Sequence, residues 1–261
     1  MDLGEGGPRE AWLGKRFGDL LHAQDPEYLQ LWQRVAEPAC DYRSLTVLDQ
    51  RRVQMLAYQV YPDTQDSFDG AEFLRRLQSH PRMAEELREV ADWLDQASVL
   101  DPKSLPGAPD TWPLRLHAAY DIREILTAVG WLSPGRRAPH QTGLLSLPNE
   151  RIELLFVTLD KREGYHAGIA YHDYAISPDL FQWQTQNSAG QDTVAGRRYL
   201  ESDRNGWHFQ LFVREAKGLP YTALGPLVLK QAEGDRPITI TWTLRVPMPI
   251  ALFKHYSILR Q

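Results

Sequence analysis

The sequence predicts an α+β protein: an α-helical bundle over residues 1–107, then a β-barrel over residues 108–261. Three observations predict it. Apolar residues recur at three- and four-residue steps through the first hundred positions, as amphipathic helices require. From Gly143 onward they alternate or form short continuous runs, as strands require. Between these regimes lies DPKSLPGAPDTWP (Asp101 to Pro113), with four prolines in thirteen residues, the composition of a boundary between cooperative units.

Taken in order, Trp12, Leu13, Phe17, Leu20 and Leu21 fall at helical spacing. Asp25-Pro26 reads as an N-cap followed by proline in the first turn, opening a helix that buries Tyr28, Leu29, Trp32 and Val35. A third segment, Leu45 to Tyr61, turns Leu48, Val53, Leu56, Ala57 and Val60 inward. Ser67 caps a fourth, with Phe68, Ala71, Leu74 and Leu77 on one stripe. A fifth follows His80-Pro81 and repeats Met83, Leu87, Val90 and Leu94. Short polar loops between five such helices make a bundle.

In the second half, Leu114–Leu116 reads as a short strand, and Asp121 with Glu124 as a capping-box start of a helix ending at Gly130. Strands are expected at Gly143–Leu147, Ile152–Asp160, Tyr174–Ser177, Phe181–Thr185, Trp207–Arg214, Leu224–Lys230 and Ile238–Val246. Six or seven strands of this length suggest a small closed or nearly closed barrel, which removes sheet edges.

Composition narrows the function classes. The net charge is −5: residues 1–130 hold 14 Lys/Arg against 22 Asp/Glu, and residues 131–261 hold 15 against 12. A mildly positive second half is compatible with a local phosphate-contacting face. No apolar run reaches the ~18 residues of a membrane span, and MDLGEGGPRE is too polar for a secretory signal. One cysteine, Cys40, cannot form an internal disulfide, so a cytoplasmic setting is expected. The phosphate loop GxxxxGK[ST], the GxGxxG fingerprint, HExxH and GxSxG are all missing. His166 and His172, beside Asp173, read as loop histidines rather than ligands. The expectation is a chain with no catalytic residues, metal or cofactor of its own.

The most informative stretch is YHDYAISPDLFQWQTQNSAGQDTVAGRRY, Tyr171 to Tyr199. Its rings offer stacking faces, its amides and carboxylate offer directional hydrogen bonds, and its guanidinium groups offer charge to phosphate. That chemistry suits holding a nucleobase. Trp183 and either Tyr171 or Tyr174 are the candidate stacking faces. Asp173 is the candidate acceptor for a cytosine N4 amine. Gln184, Gln186 and Asn187 are candidates for the remaining base edge or the gap in the duplex. Lys161, Arg162, Arg197 and Arg198 are the candidate phosphate contacts. A filled core with solvated loops is the competing reading: alternation puts Trp183 on one face and Gln182 and Gln184 on the other.

LLFVTLDKREGYHAGIAYHDYAISPDLFQWQTQN, GRRYL, FVREAKGLPYTALGP and PITITWTLRVPMP resemble the domain at the extreme C-terminus of many bacterial DEAD/DEAH-box helicases. Those helicases often carry a phospholipase-D-like nuclease at the N-terminus. They include type IV restriction enzymes that cut DNA containing methylated or hydroxymethylated cytosine. The resemblance spans residues 113–248. LGKRFGDLLHAQDPEYLQLW, RRVQMLAYQVYP and HPRMAEELREVADWL resemble the segment that joins helicase to terminal domain. The motor and nuclease are missing from this sequence, so it is expected to be an excised C-terminal portion or a short natural relative. The resemblance implies a target-recognition barrel similar to SET-and-RING-associated (SRA) and PUA-like domains. Such a barrel would flip 5-methyl- or 5-hydroxymethylcytosine from double-stranded DNA, with helicase/ATPase and nuclease modules supplied in cis or in trans and no membrane involved. The alternative is an assembly module of a helicase complex with a purely structural barrel.

Overall fold

The computed structural model describes residues 14–62, 68–101, 103–136, 143–159 and 173–258. The chain divides into two compact units, Met1–Ser104 with Pro109–Pro139, and Leu105–Ala108 with His140–Gln261. Residues 109–136 therefore pack with the N-terminal helices, whereas a boundary at 107/108 would have placed them with the strands.

In the first unit, residues 14–18 are helical and lead to α1, Pro26–Val35. The Asp25 carboxylate caps α1 by accepting from the backbone N–H groups of Glu27 and Tyr28, and Pro26 fixes the first turn. Tyr28, Leu29, Leu31, Trp32 and Val35 are buried, with the Tyr28 and Trp32 rings edge to face at 5.0 Å. Then come α2 (Val47–Val60), α3 (Gly70–Gln78) and α4 (Pro81–Ala97). Asp69 caps α3 through the Glu72 N–H, while Ser67 lies outside the described residues. The stretch expected as a strand at Leu114–Leu116 is a single bridge between Arg115 and Ser104. It is followed by the two-residue β1 (Ala119–Tyr120) and by α5 (Ile122–Ala128), which opens on the expected Asp121/Glu124 capping box.

Long-range polar contacts explain why the stretch around residues 111–128 joins this unit. Arg51 Nη1 donates to the carbonyls of Thr111 and Ala128, both at 3.1 Å. Buried Tyr120 donates to Asp25 Oδ2 at 2.8 Å and accepts the Arg115 N–H. His22 Nε2 meets Glu124 Oε2 at 2.7 Å, and its Nδ1 meets the Asp19 carbonyl at 2.9 Å. Both ring nitrogens face acceptors, the arrangement of an imidazolium. Burial works against that charge, but Glu124, Asp121 and the Asp19 carbonyl outweigh it, and the His22 pKa is raised.

The second unit is built on β2 (Leu144–Leu147), β3 (Ile152–Thr158), β4 (Tyr174–Ser177), β5 (Leu180–Gln184), β6 (His208–Arg214), β7 (Tyr221–Glu233) and β8 (Thr239–Leu244). The strands lie in the order β2-β3-β6-β7-β8-β5-β4. Every pair is antiparallel except β3–β6, which runs parallel from Ile152↔His208 to Thr158↔Arg214. Among the described residues this path stays open at β2 and β4, and the closed barrel expected from strand count is not present. Closure is unnecessary for burying the core, because two short helices, α6 (Val194–Leu200) and α7 (Ile250–Ile258), bring Tyr199 and Tyr256 to it. With them pack Leu155, Val157, Phe181, Trp183, Phe209, Leu211, Ile240, Trp242 and Leu244. The Tyr256 hydroxyl donates to Thr222 Oγ1 at 2.6 Å, and burial pushes its pKa up to about 12.

The Thr193 hydroxyl caps α6 by accepting the Gly196 N–H, and donates to the Gly190 carbonyl at 2.7 Å. This brings the helix so close to the preceding loop that a Cβ on residue 196 would lie 1.9 Å from the Gly190 oxygen.

Two measurements test the packing of Gly196 and the charge on His22. Gly196→Ala should destabilise the protein by about 2–4 kcal/mol in chemical denaturation, as overpacking against backbone does. Gly18→Ala, with nothing within 4 Å of its Cβ, should be neutral or stabilising by up to ~1 kcal/mol. Equal effects would refute the close approach. For His22, a folded pKa above the unfolded value of about 6.5 adds stability fully present below that value and lost as pH rises through the folded pKa. Stability should therefore fall as pH rises above about 6.5 and through the folded pKa, and His22→Gln should flatten the profile. An imidazole found by NMR to titrate below its unfolded value contradicts the imidazolium.

Candidate nucleic-acid interface

Period-two alternation sorts the predicted residues onto two sides of the sheet. On β5, Phe181 and Trp183 are buried and Leu180, Gln182 and Gln184 are half-buried on the other face. On β8, Ile240, Trp242 and Leu244 go inward while Thr239, Thr241 and Thr243 go outward. Register places Gln184 opposite Thr239, Gln182 opposite Thr241, and Tyr174 of β4 opposite Gln182. The result is a row of amides and hydroxyls. Gln184 Nε2 donates to Thr239 Oγ1 at 2.9 Å, and the Tyr174 hydroxyl donates to Gln182 Oε1 at 3.1 Å. Asp173, at the start of β4, accepts the Gln184 backbone N–H at 2.9 Å.

Beyond β5 the chain turns at Gln186–Ala189, closed by the Ala189 N–H on the Gln186 carbonyl at 2.8 Å. Gln186, Asn187 and Ser188 are exposed there. Fully buried Thr185 anchors the turn: its N–H donates to the Ile238 carbonyl, its hydroxyl donates to the Ala189 carbonyl and accepts the Ile238 N–H. The following loop is clasped to the β7–β8 connection. Gln191 N–H donates to Asp235 Oδ1 and Gln191 Nε2 to the Gly234 carbonyl, both at 2.8 Å. The Arg236 guanidinium bridges Asp192 and Asp235. The exposed amides thus project from a backbone fixed at both ends.

Two predicted roles need correction. Trp183 is 5% exposed, with its ring edge to face against Tyr199 at 5.3 Å; Tyr199 in turn meets Phe209, which meets Trp242. A ring tiled into the core offers no stacking face. Arg198 does not present its charge outward: it pairs with buried Glu153, donates to Ser146 Oγ at 2.9 Å and lies over the Trp207 ring at 3.9 Å. Tyr199 completes this group by donating to Glu153 Oε1 at 2.7 Å. Burial and the adjacent carboxylate hold the Tyr199 pKa far above its usual value. Arg197 is exposed and keeps its charge toward solvent. Tyr171, Lys161, Arg162, His166 and His172 lie outside the described residues.

The structure therefore brings Asp173, Tyr174 and Gln184 together, places Gln186 and Asn187 at the end of the same strand, and removes Trp183 and Arg198 from the group. Sequence reasoning missed the outward threonines of β8, although Thr-Ile-Thr-Trp-Thr carries them plainly: only the apolar half of that alternation was read. It also missed Glu153, whose signal was a lone carboxylate inside the apolar run Ile152–Val157. Among the described residues no cluster of three or more His, Cys, Asp or Glu side chains is arranged to hold a metal ion, and no helix is long and apolar enough to cross a membrane.

Residues 114–256 match a family described as a domain of unknown function, DUF3427. No curated protein matches the chain. The matched segment covers more than half of the sequence and includes β3 through β8 with the amide–hydroxyl row. The chain belongs to the DUF3427 family.

Proposed function

We propose that this chain is the non-catalytic target-recognition part of a helicase–nuclease restriction or phage-defence system, and that it reads 5-methyl- or 5-hydroxymethylcytosine in double-stranded DNA. One observation carries the reading: the amide–hydroxyl row of Tyr174, Gln182, Gln184, Thr239 and Thr241, continued by the anchored, exposed Gln186–Asn187 turn. Amides donate and accept in pairs and so match base edges, while hydroxyls contact phosphate and sugar without needing charge. The row pairs no nucleophile with a base, so it suits recognition rather than bond cleavage. Helicase and nuclease partners, and the SRA/PUA-like descent of the sheet, belong to the same proposal and rest on the sequence resemblance. With Trp183 in the core, Tyr174 is the described ring closest in sequence to Asp173 and is the stacking face for an everted base. Arg197 supplies the phosphate contact.

A second reading has its own support. The tiling of Trp183, Tyr199, Phe209 and Trp242 fills the interior of the second unit, as expected of a structural domain that docks proteins.

Fluorescence polarisation on matched duplexes separates the two. A buried methyl contributes about 1 kcal/mol, so 5-methylcytosine should bind roughly fivefold tighter than cytosine. Gln184→Ala, and Gln186→Ala with Asn187→Ala, should weaken modified-DNA binding at least fivefold at unchanged melting temperature. Arg197→Ala should lower the salt slope by about one. Weak, equal binding to all duplexes would reject DNA reading and favour the docking module.

A further inference from the structure

Trp32, Trp112, Trp183 and Trp242 are buried, but Trp93 is 62% exposed. It stands on α4, four residues after Glu89 and seven after Glu86, so the three side chains line one flank of the helix. The core-facing residues of α4 are Met83, Ala84, Leu87, Ala91 and Leu94; Trp93 is not needed to hold the helix in place. Glu86 and Glu89 are exposed, and among the described residues neither has an ion-pair partner, whereas Arg88 on the same helix reaches Glu37. Across α4 as a whole, five carboxylates face two arginines.

A large ring left in water beside two uncommitted carboxylates is complementary to one kind of surface. A guanidinium can lie flat on the indole while its neighbours pair with the carboxylates, and desolvation strengthens both contacts. Tryptophan and arginine are also both enriched among the residues that dominate binding energy at protein interfaces. Nucleic acid and anionic lipid would be repelled by the same carboxylates. We propose that the Glu86–Glu89–Trp93 flank of α4 docks an arginine-rich segment of a partner protein, with one arginine laid across Trp93.

This surface belongs to the helical unit and is independent of the DNA reading. The probe is a fluorescein-labelled nonapeptide of alternating arginine and glycine, titrated with the full chain at ~50 mM and ~150 mM salt. Trp93→Ala leaves the net charge unchanged and should weaken binding at least fivefold at both salts. Glu86→Gln with Glu89→Gln should weaken it at least fivefold at the lower salt, and the matching lysine peptide should bind more weakly than the arginine one. Neutralising the exposed pair Glu201 and Asp203 in the other unit should change nothing, and circular dichroism melts should show every variant folded. Wild-type affinity in Trp93→Ala, or an equal loss on neutralising Glu201 and Asp203, would overturn the proposal and leave only diffuse charge attraction.

Discussion

The second unit depends on a buried carboxylate near the start of β3. Glu153 is 2% exposed, so its charge must be met inside the protein. Tyr199, Arg198 and Ser146 meet it, and two of those three come from α6. The carboxylate therefore decides where α6 sits. That position brings Tyr199 against Trp183 and forces the glycine contact between the helix and the loop before it. The turn carrying Gln186 and Asn187 hangs from the same loop. Removing one partner from a buried ion pair leaves the other uncompensated, a loss of about 3–5 kcal/mol, so this group governs the shape of the candidate interface without touching a ligand.

Local chemistry was legible in the sequence; distant pairing was not. Asp25-Pro26 and the Asp121/Glu124 box announce their helices because a cap needs only residues within one turn. The division expected at 107/108 differs from the two compact units because Arg51, Asp25 and His22 hold Thr111, Tyr120, Glu124 and Ala128 through contacts about 60 to 100 positions apart. α6 was missed because seven residues give too little periodicity to read. The alternation of β5 was correct, but alternation does not say which side is wet. That was settled by Tyr199 on α6, whose ring meets Trp183, and by Ile240 opposite it on β8. Arg198 looked like a surface cation for the same reason: its partner lies 45 positions upstream.

The candidate interface and the α4 flank lie in different units of the chain. The amide–hydroxyl row is nearly uncharged and can discriminate more readily than attract, since hydrogen bonds to base edges specify whereas phosphate contacts supply most of the affinity. Arg236 is already engaged by Asp192 and Asp235, so it adds little net field there.

Strand order has a consequence for biogenesis. The β4–β5 hairpin leaves the ribosome before its neighbour in the sheet, β8, which emerges some fifty-five residues later. Until then β5 lacks the strand that pairs with it, and a half-made sheet with an unpaired edge is prone to sticking. The nascent chain must therefore hold this hairpin in waiting, and its slowest step should be the late insertion of β8 between two strands already synthesised.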